Sequence, residues 1–217
     1  MAKQTRFTRD MIDNYVAAGL CDKRTIADDF DRNALTFPHR EAVIDRTHRW
    51  TWSDVKRLSD RIALGLLKLG IKRDEVVVAQ LPNWAENTIL WLALQKAGII
   101  GCFPATTYRQ VEMEQVLRGL NAVAFVIPSS HEAFDYPGMV RAMKPHLPGL
   151  RHIIVARGES RTGEISLQDF MTQPLETEFP PDDLQKTRFR FDEVMALNLT
   201  SRSTGSRRPT GTSTSSM

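Results

Sequence analysis

Between residues 51 and 156 the sequence alternates at regular intervals between short β-branched runs and stretches of helical period. Strands separated by helices cannot pair as hairpins; each helix carries the chain back across the sheet, so the strands come out parallel. The first helix opens at Thr51-Trp52-Ser53-Asp54, a capping box with the shorter acid. Val55, Leu58, Ile62, Leu66 and Leu69 recur at helical spacing, with Lys56, Arg57, Asp60, Arg61 and Lys68 on the other faces. Gly70 stands where a left-handed cap belongs. Glu75–Leu81 is a β-branched run ended by Pro82-Asn83, which reads as a buried strand. Trp84–Lys96 is apolar on most faces and predicts a helix packed inside the molecule, ended by Gly98. Strands follow at Ile99–Phe103, Ala122–Ile127 and His152–Ala156, with helices at Val111–Leu120 and Tyr136–Lys144 between them. The pattern predicts an α/β fold: a doubly wound parallel sheet with helices on both faces.

The flanks are less regular. Arg9–Ala18 and Thr25–Leu35 read as helices, and Ala42–Asp45 with Arg49–Thr51 as a small strand pair. Residues 157–190 are rich in Pro, Gly and charge, with one short helix near Leu167–Met171, and read as a surface excursion. Glu193–Leu199 reads as a last strand. The domain organisation expected is a helical extension over 1–24, a main body over 25–200 and a disordered Ser/Thr/Arg tail over 201–217, which has no apolar residue before Met217.

Composition excludes several classes of function. The 41% hydrophobic content suffices for a core in a chain of 217 residues. The formal net charge of +3 equals the three arginines of the tail, Arg202, Arg207 and Arg208, so the body is neutral. A neutral body has no footprint for nucleic acid or for an anionic membrane. No apolar run is long enough to span a bilayer, and Met1–Asp10 has no apolar signal core. Cys21 and Cys102 are far apart and form no CxxC, which suits a reducing, cytoplasmic setting. His39, His48, His131, His146 and His152 show no metal-ligand spacing, so no metal site is expected. Trp50, Trp52, Trp84 and Trp91 read as core and helix-entry packing. Asp28, Asp29, Asp31, Glu112 and Glu114 read as helix-face charges, so no catalytic residue is assigned.

The segment after the last strand carries the chemistry. Asn198-Leu199-Thr200-Ser201-Arg202-Ser203-Thr204-Gly205-Ser206-Arg207-Arg208-Pro209 is a hydroxyl- and glycine-rich turn, of the kind that offers N–H and O–H donors to a polyphosphate. With the Trp52–Ile71 helix, the Val76–Asn83 strand ending in Leu-Pro-Asn and the step Lys96-Ala-Gly-Ile-Ile-Gly-Cys-Phe-Pro-Ala105, the order of elements resembles the acyl-adenylate-forming, AMP-binding ligases over roughly residues 25–205. These include acyl-CoA synthetases and aryl-acid–AMP ligases. The terminal segment is similar to that family's phosphate signature, Thr-Ser-Gly-Ser/Thr-Thr-Gly-x-Pro-Lys-Gly.

The resemblance implies ATP-dependent activation of a small-molecule carboxylic acid to an acyl-adenylate with release of pyrophosphate, then transfer to the thiol of coenzyme A. It implies ATP, Mg²⁺ and CoA as the family's cofactors, and aryl, alicyclic or medium-chain acids as substrates. Thr200, Ser201, Ser203, Thr204 and Gly205 would contact the β- and γ-phosphates, and Arg208 would stand where the family has Lys. Arg202 replaces the family's first Gly, and its bulk is expected to distort the loop. Arg207 replaces Pro. The adenine contacts, acid pocket, Mg²⁺ ligand and catalytic Lys of the family have no counterpart in the chain. It therefore reads as an N-terminal fragment, inactive by itself, with the change at Arg202 reading as a shifted frame or a fragment end. The alternatives are a non-catalytic nucleotide-binding module or one that pairs with a separate, complementary subdomain.

Overall fold

The computed structural model describes residues 7–180 and 182–199, together with the backbone of 209–213. Its elements run α1 (Arg9–Ala17), α2 (Ile26–Thr36), β1 (Glu41–Ile44), β2 (Arg49–Thr51), α3 (Trp52–Lys68), β3 (Val76–Ala79), α4 (Ala85–Ala97), β4 (Ile100–Cys102), α5 (Gln110–Gly119), β5 (Ala124–Pro128), α6 (Tyr136–Met143), β6 (His152–Ala156), β7 (Ile165–Ser166), α7 (Leu167–Thr172), α8 (Asp183–Thr187), β8 (Val194–Leu199) and β9 (Pro209–Ser213). Strands β7-β6-β5-β3-β4-β8 lie side by side and all pair in parallel; β9 adds to the β8 edge in the antiparallel sense. The pair β1–β2 forms a separate small antiparallel sheet.

The sheet is covered on both sides, as the strand–helix alternation predicts, and the period of two assigns each strand residue to a face. Val77, Ala79, Ala124, Val126, Ile154 and Ala156 pack into one core with α3, α4 and α7. Their neighbours Val76, Val78, Phe125, Ile127, Ile153 and Val155 pack into the other with α5 and α6. All four residues of β3 are buried because it lies in the middle of the sheet. Both capping boxes on this side of the molecule are formed: Thr51 with Asp54 at α3, and Thr25 with Asp28 at α2.

Two glycines set how closely the layers approach. At Gly65 on α3 the ring of Phe170 would lie 2.6 Å from any added Cβ, so α7 can seat on α3 only there. Gly98 ends α4 at φ +67°, with the Thr187 carbonyl and the Arg73 side chain filling the place of a Cβ.

That packing corrects the reading of 157–190 as a surface excursion. Leu167, Phe170, Met171 and Leu175 are buried in the α3–α4 core, and Phe189 is buried in the opposite one. Charge and proline dominate the segment's composition, but its few apolar residues recur where they meet α3. At the other end of the sheet, the backbone of residues 209–213 forms β9, with Leu199↔Pro209 and Leu197↔Gly211 in register. The rest of the tail, 201–208 and 214–217, lies outside the described residues.

The acidic residues of α2 are also more than a solvated face. Lys96 is fully buried on α4, and its ammonium donates to Asp31 (2.6 Å), Asp60 (2.6 Å) and Ser59 Oγ (2.9 Å). Arg188 closes the far side, donating to Asp28 at 2.5 Å and Asp31 at 2.8 Å. Three helices and the segment before β8 thus meet at one buried cation. Burial alone would raise the pKa of the Asp31 carboxyl; Lys96 and Arg188 outweigh it and hold the pKa below the ordinary value. A lowered carboxyl pKa stabilises the fold above the unfolded value, about 4, and that contribution is lost as pH falls through the folded value. Replacing Lys96→Met leaves Asp31 to Arg188 and Asp60 to Lys56 at the surface, removes their shared buried cation and is expected to cost about 2 kcal/mol in urea unfolding. The same variant should show a shallower loss of stability with acid below about pH 4; equal stability and an unchanged acid slope would contradict this role.

Candidate functional site

The carboxyl ends of parallel strands are where open α/β sheets present loops to ligands. Here the loops leave β3 at Gln80–Asn83, β4 at Phe103–Arg109, β5 at Ser129–Asp135 and β6 at Arg157, and β8 ends at Leu199. Several are fastened to one another. The fully buried Gln80 donates its amide N–H groups to the Ala105 and Tyr108 carbonyls, both at 2.9 Å, which fixes the loop after β4 from the strand beside it. Tyr136 Oη donates to the Thr106 carbonyl at 3.1 Å from the other side. Its ring meets Phe134 edge-on, and the Arg109 guanidinium lies 4.1 Å from the Phe134 centroid. Ser129 Oγ donates to the Arg157 carbonyl and ties the ends of β5 and β6 together.

Arg157 is the centre of a second ionic cluster. It adopts φ +51°, a left-handed backbone that points its side chain back across the edge. Its guanidinium grips Glu86 through two 2.7 Å bonds, donates to Asp45 and lies 4.2 Å from the Trp84 ring centroid. Asp45 also accepts from the backbone N–H of Ala85 at the start of α4, and from those of Thr47 and His48. Burial would raise the Asp45 pKa; the three N–H donors and Arg157 outweigh it and hold the carboxyl well below the usual range. His131 meets the edge of Trp84 at 5.9 Å.

Sequence spacing gave no metal site, yet the fold brings one potential ligand atom each of Asp45, His48 and Glu86 within 4.8 Å of one another. Both carboxylates are engaged by the single guanidinium of Arg157, which offsets one of their two negative charges and occupies oxygens that a metal would need. No local motif announces this cluster. Asp45 follows β1, Glu86 lies in the first turn of α4 and Arg157 follows β6, and only the topology joins them.

The six residues expected to contact phosphate, Thr200, Ser201, Ser203, Thr204, Gly205 and Arg208, lie outside the described residues. The elements on either side of them are described. β8 pairs with β4 through Gly101↔Ala196 and Cys102↔Leu197 and ends at Leu199, on the same edge as the loops above. β9 begins at Pro209, paired with Leu199. The fixed part of the edge gives a prediction. Arg157→Ala leaves Asp45 and Glu86 facing each other and is expected to cost about 3 kcal/mol in chemical denaturation. Arg157→Lys should recover less than half of that, since an ammonium cannot reproduce the two-bond fork; full recovery would show that charge alone suffices.

Comparison with known proteins agrees with this architecture. The chain is 26% identical over 199 residues to 2-hydroxy-7-methoxy-5-methyl-1-naphthoate–CoA ligase of Streptomyces carzinostaticus, covering 90% of this chain and 36% of that protein. It is 29% identical over 171 residues to 2,3-dihydroxybenzoate–AMP ligase of Bacillus subtilis, covering 79% of this chain and 31% of the relative. The apo structure of MbtA from Mycobacterium smegmatis superposes with a TM-score of 0.77 at 27% identity, over 94% of this chain and 36% of that one. The chain thus spans about a third of the length of the relatives it matches. The family model described as AMP-binding enzyme matches residues 30–209, from α2 through the segment after β8 to the first residue of β9. On that match, this chain belongs to the AMP-binding enzyme family.

Proposed function

We propose that the chain supplies the amino-terminal portion of an ATP-dependent carboxylic acid ligase that forms an acyl-adenylate and then a CoA thioester, and that it is inactive by itself. The observation that carries this reading is the match of the AMP-binding enzyme family model to residues 30–209, which runs through the segment after β8. In sequence, the matched stretch includes Thr200, Ser201, Ser203, Thr204 and Gly205, residue types that can supply the hydroxyl and backbone donors a polyphosphate needs. Arg208 adds a cation to the same segment. An arginine at position 202 would crowd the backbone approach that a glycine leaves open, and so would weaken the grip without changing its chemistry.

In this reading these residues bind and orient the triphosphate so that the α-phosphorus faces the incoming carboxylate, which displaces pyrophosphate. Donors aimed at the departing phosphates stabilise the charge that builds on them. Bound Mg²⁺ supplies neutralisation of that same charge. Asp45 and Glu86 are already committed to Arg157, so the metal's carboxylate ligand is assigned to the part of the relatives that this chain does not span. The residues selecting the acid and receiving CoA are assigned there too. The relatives' names favour an aryl or medium-chain acid: a naphthoate, a dihydroxybenzoate and a medium-chain fatty acid are the acids they carry. The neutral body, without a membrane-crossing helix among its described residues, fits a cytoplasmic ligase acting on a small molecule.

A chimera tests this directly. Residues 1–199 of this chain would replace the aligned part of the Bacillus subtilis 2,3-dihydroxybenzoate–AMP ligase, keeping that enzyme's own phosphate segment. Acid-dependent exchange of pyrophosphate into ATP is expected from the chimera and none from the chain alone, with Arg202→Gly also silent. A chimera that folds by circular dichroism yet gives no exchange contradicts the proposal, as does turnover by the isolated chain. Activity appearing only with a separately expressed complementary chain would favour a partner-dependent module.

A further inference from the structure

The helix α1 is finished at both ends, yet none of its nine residues is buried. Thr8 caps its start, accepting from the Met11 N–H at 3.3 Å. Gly19 stops it in the left-handed region at φ +70°. There the Leu20 N–H donates to the Tyr15 carbonyl at 2.9 Å and the Gly19 N–H to that of Val16 at 3.1 Å. A helix this short is marginal in water unless it buries a face. Ile12 and Val16 are its half-buried residues, so the side toward the body is theirs. A second apolar face is left open. Met11 and Tyr15 stand one turn apart on it, each 39% exposed. The glycine stop brings Leu20, 66% exposed, to the side that carries Tyr15. Phe7 meets the Tyr15 ring edge-on at 6.4 Å and extends the face toward the amino end.

The place of α1 selects what covers that face. Arg9 donates to Asp192 at 2.6 Å, two residues before β8, so the helix is fastened beside the last of the parallel strands. The chain spans about a third of the length of the relatives it matches, and on the reading proposed above the rest of the ligase follows β8. The charges of the helix, Arg9 against Asp10 and Asp13, are the reverse of the basic face that an anionic membrane takes. We propose that the face formed by Met11, Tyr15 and Leu20 docks on an apolar surface of that remaining part of the ligase. In this arrangement α1 bridges the two parts: Arg9 holds it to the strand that leads out of the first, and its open face packs on the second. The inference rests on the ligase reading, but it concerns association and not the phosphate segment.

Amide hydrogen exchange on two proteins tests the docking. In the full chain alone, residues 12–17 are expected to exchange close to the rate of an unfolded chain, while α3 and α4 are protected. In the chimera with the Bacillus subtilis ligase, exchange at 12–17 should slow by about tenfold or more. Met11→Ser combined with Tyr15→Ser should abolish that slowing and leave the circular dichroism melt of the full chain unchanged. Pyrophosphate exchange reports the ligase reading separately. An active chimera with α1 still unprotected overturns the docking and leaves that reading standing; an inactive chimera with α1 protected does the opposite. Protection of α1 in the isolated chain overturns the docking whatever the chimera does. Protection that grows with the concentration of the chain overturns it too, and assigns the face to a second copy.

Discussion

The fully buried ammonium of Lys96 is the interaction on which the arrangement of the amino-terminal half depends. It draws Asp31 from α2 and Asp60 and Ser59 from α3 onto α4. A lone charge at that depth is prohibitive, so the helices must approach closely enough to surround it. The consequence reaches the strands. α4 leads into β4, and its fixed position sets where β3 and β4 run against each other. Arg188 extends the network to the segment that feeds β8, so the same cluster also places the strand that ends at the candidate phosphate segment. α1 stands outside this system. None of its residues is buried, and Arg9 reaches the body through Asp192 at 2.6 Å.

Much of the body was legible in the sequence because its signals are local. The Thr51–Asp54 box, the stripe from Val55 to Leu69 and the β-branched run at Val76–Ala79 each act within a few residues, and all became the elements they indicate. What could not be read depends on contacts between distant residues. Lys96 looks like the polar end of an apolar helix until Asp31 and Asp60 come to it across two interfaces. Arg157 closes a carboxylate pair drawn from residues 45 and 86. Leu167, Phe170 and Met171 sit in a stretch whose composition is that of a loop, and only the open surface of α3 at Gly65 makes them core. Side-chain composition says nothing of the free backbone edge that β8 offers to 209–213.

The two clusters divide the work. Lys96 fixes layers, whereas Arg157 fixes the loops of the carboxyl edge, holding the β1–β2 pair, the start of α4 and the end of β6 as one surface. Gln80 and Tyr136 do the same for the loop after β4. A preformed edge of this kind is what a polyphosphate segment requires, because donors that are already oriented need no reorganisation when charge develops. It also explains why a candidate metal cluster appears at Asp45, His48 and Glu86 although the residues serve the scaffold.

The central proposal is that the segment after β8, with Thr200, Ser201, Ser203, Thr204, Gly205 and Arg208, contacts the phosphates of ATP. Titrating the isotopically labelled chain with Mg²⁺–ATP and following amide shifts tests it most directly. The account predicts saturable shifts confined to Asn198–Arg208 and to the neighbouring end of β4 at Cys102–Phe103. Shifts that are absent, or that fall elsewhere on the molecule, would contradict it.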